Sequence, residues 1–314
     1  MKYAKYVLKK FLTMAVTLLL ASFVVFILIR MSAVDPITVM TKNKPTSDAV
    51  RMELTQEYNL DKPVVEQYFI WLKGVVQGDL GKDYVKQQDV AFLIKGRLPL
   101  TLTLVLYSTV LSLIVAIPAG VICALKKNTV IDQIISTILL LMSSVPGFVI
   151  SILMLVIVSK YFPAYSFVGL SDNFWQMLSR LTLPAMALAC NSVALFARIT
   201  RSSMIQQLKS GYVTTAEAKG IRPIQVIFGH AFHNGILPVL TVVTVTVGSS
   251  ISYGVLVESV FSLTGVGNLL IESIKSYNYP VVQILVLMLL IIFMVIGFLS
   301  DILYVALDPR VDLE

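Results

Sequence analysis

The sequence predicts an all-α integral membrane protein with six transmembrane helices and an outer helical subdomain after the first. Three observations predict it. The 314-residue chain is 57% hydrophobic and 14% charged, with mean hydropathy +0.83. Soluble domains run nearer ~25% charged and ~45–50% apolar, and a soluble protein this apolar would expose large sticky patches. The apolar residues also gather into six runs, at about 11–30, 99–125, 134–159, 181–199, 237–260 and 282–306. Each approaches the ~20 residues that cross a ~30 Å hydrocarbon core. Finally, the basic residues sit mainly between those runs, so the formal net charge of +7 reads as membrane orientation rather than nucleic-acid binding.

Residues 1–31 hold a basic start, "MKYAKYVLKK", and the first span. A signal peptide shares such a start, but its apolar region is only ~7–15 residues and a small-residue cleavage site follows. This run is longer and lacks such a site, which predicts an uncleaved helix. Residues 32–97 form the outer helical subdomain. There Ser47 is an N-cap ahead of helix formers, and a second helix over 64–76 buries Val65, Phe69, Leu72 and Val76 at helical spacing. "GDLG" then breaks it. Residues 98–307 make a five-helix core that includes a loop at 200–236, and 308–314 form a tail. Lys2, Lys5, Lys9, Lys10, Lys126, Lys127, Arg198, Arg201, Lys209, Lys219, Arg222 and Arg310 all fall on one side of six spans. The positive-inside rule makes that side cytoplasmic, with both termini there. Pro146, Pro184 and Pro238 lie in or at the start of apolar runs, and "VTVTVGSSISYG" (243–254) is rich in small residues. Such features serve ordinary close packing, or the lining of a pathway.

Several chemistries are excluded. "QGDLGKDY" holds a Gly-Lys pair, but a phosphate loop needs G-x-x-x-x-G-K-[ST] after a strand. Val76 stands where the first glycine belongs and Asp83 where the magnesium-binding hydroxyl belongs. The two histidines, His230 and His233, are too few for a metal site, and no nucleophile elbow is present. Glu258 and Asp301 lie near span ends, which gives little basis for a proton relay. Cys123 and Cys190 read as two small buried thiols. No catalytic, metal or cofactor residue is expected in this chain; if something moves against a gradient, another chain supplies the ATP chemistry.

The segment 212–238, "YVTTAEAKGIRPIQVIFGHAFHNGILP", stands out by its polarity between two apolar runs. Its first part reads as a helix closed by Gly220, and "IRP" as a corner with Pro223 in the first turn of a second, amphipathic helix. "HNGILP" then breaks that helix and leads back to the membrane. A helix–corner–helix also occurs in DNA-binding proteins, but spans pin both ends of this one to a bilayer.

This segment resembles the cytoplasmic coupling loop of ABC-importer permeases, the type I importer fold. Thr214-Thr215-Ala216 takes the place of that family's Glu-Ala-Ala, and Gly220 matches its glycine. "TAEAKG" and "HAFHNGILP" are similar to the B-type permease of the oligopeptide/dipeptide/nickel branch. So are "VPGFV" (145–149), "ESVFSLTGVGNLL" (258–270), "LDKPVVEQYFIWLKGVVQGDLG" (60–81) and the ending "DILYVALDPR" (301–310). The resemblance implies a heterodimer with a homologous second permease and two ABC ATPase subunits that carry ATP and magnesium. It also implies an extracellular substrate-binding lipoprotein and a place in the bacterial cell membrane. The implied ATPase-coupling residues are Ala216, Glu217, Gly220, Ile221, Arg222, Pro223, Ile224, Ile227 and Phe228. Ile224, Ile227 and Phe228 would give a rigid apolar face, Glu217 and Arg222 polar contacts. The implied cargo is peptide, with nickel or another metal chelate as the alternative. An ATPase-independent channel or scaffold is the competing reading from another class. A secondary transporter would show inverted repeats and intramembrane charge, and neither is evident.

Overall fold

The computed structural model describes residues 2–31, 34–42, 44–162 and 173–307, and these are almost entirely helical. The tail with Arg310, and with it the last three residues of "DILYVALDPR", lies outside them. In chain order the helices are α1 (Lys2–Arg30), α2 (Pro36–Met40), α3 (Asp48–Glu57), α4 (Val64–Val76), α5 (Val90–Leu125), α6 (Val130–Ser144) and α7 (Gly147–Tyr161). They continue with α8 (Phe174–Leu208), α9 (Gly211–Ala218), α10 (Pro223–Gln225), a π-helical turn (Val226–Ala231), α11 (Phe232–Gly235), α12 (Leu237–Val260), α13 (Val266–Lys275) and α14 (Tyr279–Leu307). Contacts divide the chain into two compact units: Met1–Leu100 with Thr264–Met294, and Thr101–Leu263 with Val295–Asp312.

In the first unit α4 packs on α1. Tyr68 carries the contact. Its ring meets Phe23 and Phe26 edge-on at 5.0 and 5.6 Å, and its hydroxyl pairs with Ser22 Oγ at 2.9 Å and donates to the Leu19 carbonyl at 3.2 Å. The bounds of α4 are those expected, but its buried face is not. Gln67 and Tyr68 point inward, whereas Val65, Phe69 and Val76 are exposed and Leu72 is only half-buried. The phenol is the reason: it finds partners on α1, so the helix turns Tyr68 inward rather than the more apolar Phe69. Ser47 caps α3 as expected, accepting from the Val50 amide at 3.5 Å.

Gly78 and Gly81, at φ +90° and +79°, end α4 in turns. The Gly81 amide is taken by Asp79 Oδ1 at 2.9 Å, and Asp83 accepts from the Val85 and Lys86 amides, so the two aspartates flanking the Gly-Lys pair cap the turns. Tyr84, 3% exposed, anchors this loop through its amide to Asn278 Oδ1 at 3.1 Å. Burial pushes its phenol above the ordinary tyrosine value, with Arg30 opposing.

The second unit is built around α8, which contacts α6, α7 and α12. A glycine sets the closest helix approach: a Cβ on Gly120 of α5 would lie 2.5 Å from Thr200 Cβ and 2.6 Å from the Ala197 carbonyl of α8. Ala116, Ala189, Val193, Phe196 and Ala197 fill the seam beside it. Cys123 is fully buried, whereas Cys190, expected buried, is half-exposed, with its thiol donating to the Met186 carbonyl at 3.2 Å.

Among the described residues, five helices are each long and apolar enough to cross a bilayer. The sixth expected span, 134–159, is not one helix. It is α6 and α7, bent by 97° at a short break. Pro146 causes the break: its ring pushes the preceding residue out of helical conformation, and Val145 sits at φ −98°, ψ 128°. The span expected at 181–199 lies within the longer α8, which accommodates Pro184 internally.

Gly120→Ala should lower stability by about 1–3 kcal/mol, the usual range for overpacking a close contact, read as an earlier thermal transition in detergent. Gly235→Ala should cost less, because its Cβ would meet the flexible Met204 thioether at 2.9 Å rather than backbone. Equal transitions for Gly120→Ala and the parent protein would contradict the close approach.

Candidate functional site

The polar segment after α8 folds as a tight helical unit. Helix α9 ends at Lys219, and Gly220 follows at φ +76°. The Gly220 amide donates to the Glu217 carbonyl at 2.9 Å and the Ile221 amide to the Ala216 carbonyl at 3.3 Å. That is the paired closure of a Schellman cap, which needs the left-handed conformation glycine adopts without strain. The accompanying apolar contact is present too, since Ile221 packs on the cluster that holds Val213 and Ala216. Arg222 is then extended ahead of Pro223, which opens α10 at its first position as expected.

The second helix departs from expectation in two ways. Its body, Val226–Ala231, is a π-turn. In an α-helix, positions five apart lie about 140° apart around the axis; the wider π-turn brings them onto one side. Val226 and Ala231 are such a pair, 1% and 0% exposed, and both enter the same apolar cluster. The second departure is that "HNGILP" interrupts the helix by the single residue Ile236 rather than by a loop. Ile236 stays helical at φ −80°, ψ −21°, and α12 begins at Leu237. Pro238 sits in the first turn, where no amide is required, and Gly235 lets the chain pass against Met204.

Two anchors fix this unit. One is the apolar cluster: Val121 and Ala124 of α5, Met204 of α8, Val213 and Ala216 of α9, and Val226 and Ala231 of the π-turn. The other is polar. Arg201 Nε and Nη2 donate to Asp132 Oδ1 and Oδ2 at 2.8 and 2.7 Å. Asp132 also accepts from the Asn128 amide at 2.9 Å and from Ser136 Oγ at 3.3 Å. Its side chain is 5% exposed and that of Arg201 30%, so the start of α6 is forked to α8 one turn before Met204. A smaller relay, Asn234 to Tyr212 to Gln207, joins α11, α9 and α8 at 3.2 and 2.8 Å.

The expected coupling residues divide between the two faces. Ala216 is buried, and Ile221 and Ile227 are partly buried against the cluster. Glu217, Gly220, Arg222, Pro223, Ile224 and Phe228 are exposed, Ile224 at 60% and Phe228 at 52%. The outward apolar face is thus Ile224 with Phe228, and Ile227 belongs to the inner one. Large apolar side chains held outward on a rigid, otherwise polar unit are a feature of protein contact surfaces. No local signal in the sequence points to Asp132 or to its fork with Arg201, whose charge reads there only as membrane orientation.

Residues 116–313 match the family described as the binding-protein-dependent transport system inner membrane component, and residues 3–105 match its N-terminal membrane component. The chain belongs to that family. It is therefore a multi-pass membrane permease subunit. The dipeptide transport system permease DppB of Bacillus subtilis is 32% identical over 99% of both chains. The oligopeptide permease AppB of the same organism is 33% identical over 98% of this chain and 99% of its own. The glutathione permease GsiC of Escherichia coli is 33% identical over 98% of each. Among solved structures, the MetNI methionine ABC transporter in inward-facing form matches with TM-score 0.58 and 16% identity, over 69% of this chain and 97% of that one. An amino acid ABC transporter crystallised with histidines matches with TM-score 0.52 and 17% identity, over 68% and 94%. The ABC-importer permease fold predicted from the sequence is the fold found.

Arg201→Leu should cost about 3 kcal/mol, because it strands the buried Asp132 carboxylate. Asp132→Asn combined with Arg201→Leu should recover part of that loss in the same thermal measurement. A double variant no more stable than the single one would contradict the pairing.

Proposed function

We propose that this permease forms half of the translocation pathway of an ATP-driven importer of short peptides. In this reading it pairs with a homologous second permease. An extracellular binding protein delivers the cargo, and two ABC ATPase subunits hold ATP and magnesium. The observation that carries the peptide assignment is the match, over 97% or more of each chain, to permeases named for dipeptides, oligopeptides and glutathione. The α6–α7 pair counts as one bent span, giving six spans with both termini in the cytoplasm of a bacterial cell. The 200–236 loop then faces the ATPases.

The unit built from α9 and the π-turn is the coupling element. Its outer face, with Glu217, Arg222, Ile224 and Phe228, enters the ATPase subunit. Its inner face moves α5 and α8 as one body through the apolar cluster, and the Asp132–Arg201 fork carries the start of α6 with α8. Approach of two ATPases on binding ATP thereby becomes displacement of the helices that form the pathway. The support for this reading is mechanical: two exposed apolar side chains on a capped, internally anchored element.

Uptake of labelled di- to pentapeptides should fall to background in cells lacking this chain and return on complementation. Loss of labelled nickel uptake alone would instead assign a metal chelate as cargo. Ile224→Ala with Phe228→Ala should leave the permease in the membrane at its usual level yet reduce peptide uptake by at least tenfold. Gly220→Val, which forces a β-branched residue to φ +76°, should leave ATP hydrolysis running without transport. Ordinary uptake in both variants would remove the coupling role.

A further inference from the structure

The second unit contains an open cavity of about 620 Å³ where the α6–α7 corner meets α8 and α12. That volume is within the roughly 300–1,000 Å³ of small-ligand sites. Its polar wall includes Asn191 and Ser192 of α8 and Thr246, Ser249 and Tyr253 of α12. Asn191 is exposed and Tyr253 is 64% exposed. Neither the Asn191 amide nor the Tyr253 hydroxyl has a hydrogen-bond partner among the described residues.

These groups lie in helices long enough to cross a membrane. Facing hydrocarbon, an unpaired amide and phenol would each lose their water partners with nothing in return. Other exposed faces in this unit differ: α6 shows Ile134 and Ile138, and α7 shows Leu153, Val156 and Ile157. Lipid suits those faces; the cavity, where Phe148, Leu188, Leu195 and Leu256 stand beside the polar groups, suits a guest with both polar and apolar parts.

The cavity lining holds no Asp, Glu, Lys, Arg or His. It is neutral and able both to donate and to accept, since amides and hydroxyls do each. The main chain of any peptide offers a donor and an acceptor at each non-proline residue, whatever its side chains. We propose that this cavity is the stretch of pathway wall contributed by this chain. It takes the uncharged main chain of a passing peptide and is indifferent to side-chain charge. The proposal rests on the peptide reading above.

The test is uptake in cells carrying the complete transporter, using tripeptides with a neutral, an acidic or a basic central residue. Asn191→Asp and Asn191→Lys are compared, with Ser249→Asp and Ser249→Lys as a second pair. Each acidic-to-basic uptake ratio is divided by that of the parent chain, which cancels the preference of the binding protein. A fixed charge beside the path, at the effective dielectric of a partly hydrated site, should move this ratio about tenfold, downward for Asp and upward for Lys. Unchanged ratios with neutral uptake preserved would overturn the proposal. Equal loss of all three peptides, with or without loss of assembly, overturns it too, because the hollow is then a subunit interface or a structural void. Failure of the parent chain to take up any of the three peptides would instead remove the peptide reading beneath it.

Discussion

Hydrocarbon supplies no hydrogen-bond partners, so a chain inside it must pair its own backbone groups. Long helices follow from that constraint, and so do the habits of the polar residues on them. Ser112, Thr200, Thr182 and Thr246 each donate to a carbonyl one turn back. Thr101 donates to the fully buried Glu258 at 2.6 Å. Where the helical ladder is interrupted, a local device takes over. Pro146 forces the corner between α6 and α7, and Gly220 closes α9 with two amide bonds before Pro223 starts again without needing one.

In the proposed coupling role the second unit acts as a lever with a defined handle. Gly120 brings α5 against α8, the apolar cluster fastens α9 and the π-turn to both, and Asp132–Arg201 holds the start of α6 to the same helix. The ion pair is not a large source of stability, because desolvating two charges consumes most of the Coulomb gain. Its contribution is geometric. A bidentate fork fixes both distance and angle between the start of α6 and α8.

Much of this was legible in the sequence because the signals are local. Ser47 caps a helix through its own hydroxyl, Gly220 meets a left-handed requirement, and Pro223 fits a first turn; none of these depends on distant residues. The order of motifs along the chain fixed the family for the same reason. What was not legible depends on partners far away in sequence. The inward face of α4 is set by a phenol meeting Ser22 on another helix, not by hydrophobicity. The π-turn exists because Val226 and Ala231, five residues apart, must share one core. Gly235 and Pro238 look like a break, yet one of them admits Met204 and the other needs no amide where it stands. Asp132 and Arg201 are separated by 69 positions, and only the fold brings them together.

The central claim is that one face of the 212–231 segment is packed into the permease and the other is offered to the ATPase. Single cysteines placed along it, in a chain with Cys123 and Cys190 replaced by alanine, report this directly through labelling by a water-soluble maleimide. The account predicts that positions 217, 224 and 228 label in the isolated permease and are protected in the assembled transporter. It predicts that positions 213, 216 and 226 stay unlabelled in both. Equal labelling of 224 and 228 with and without the ATPases would contradict it.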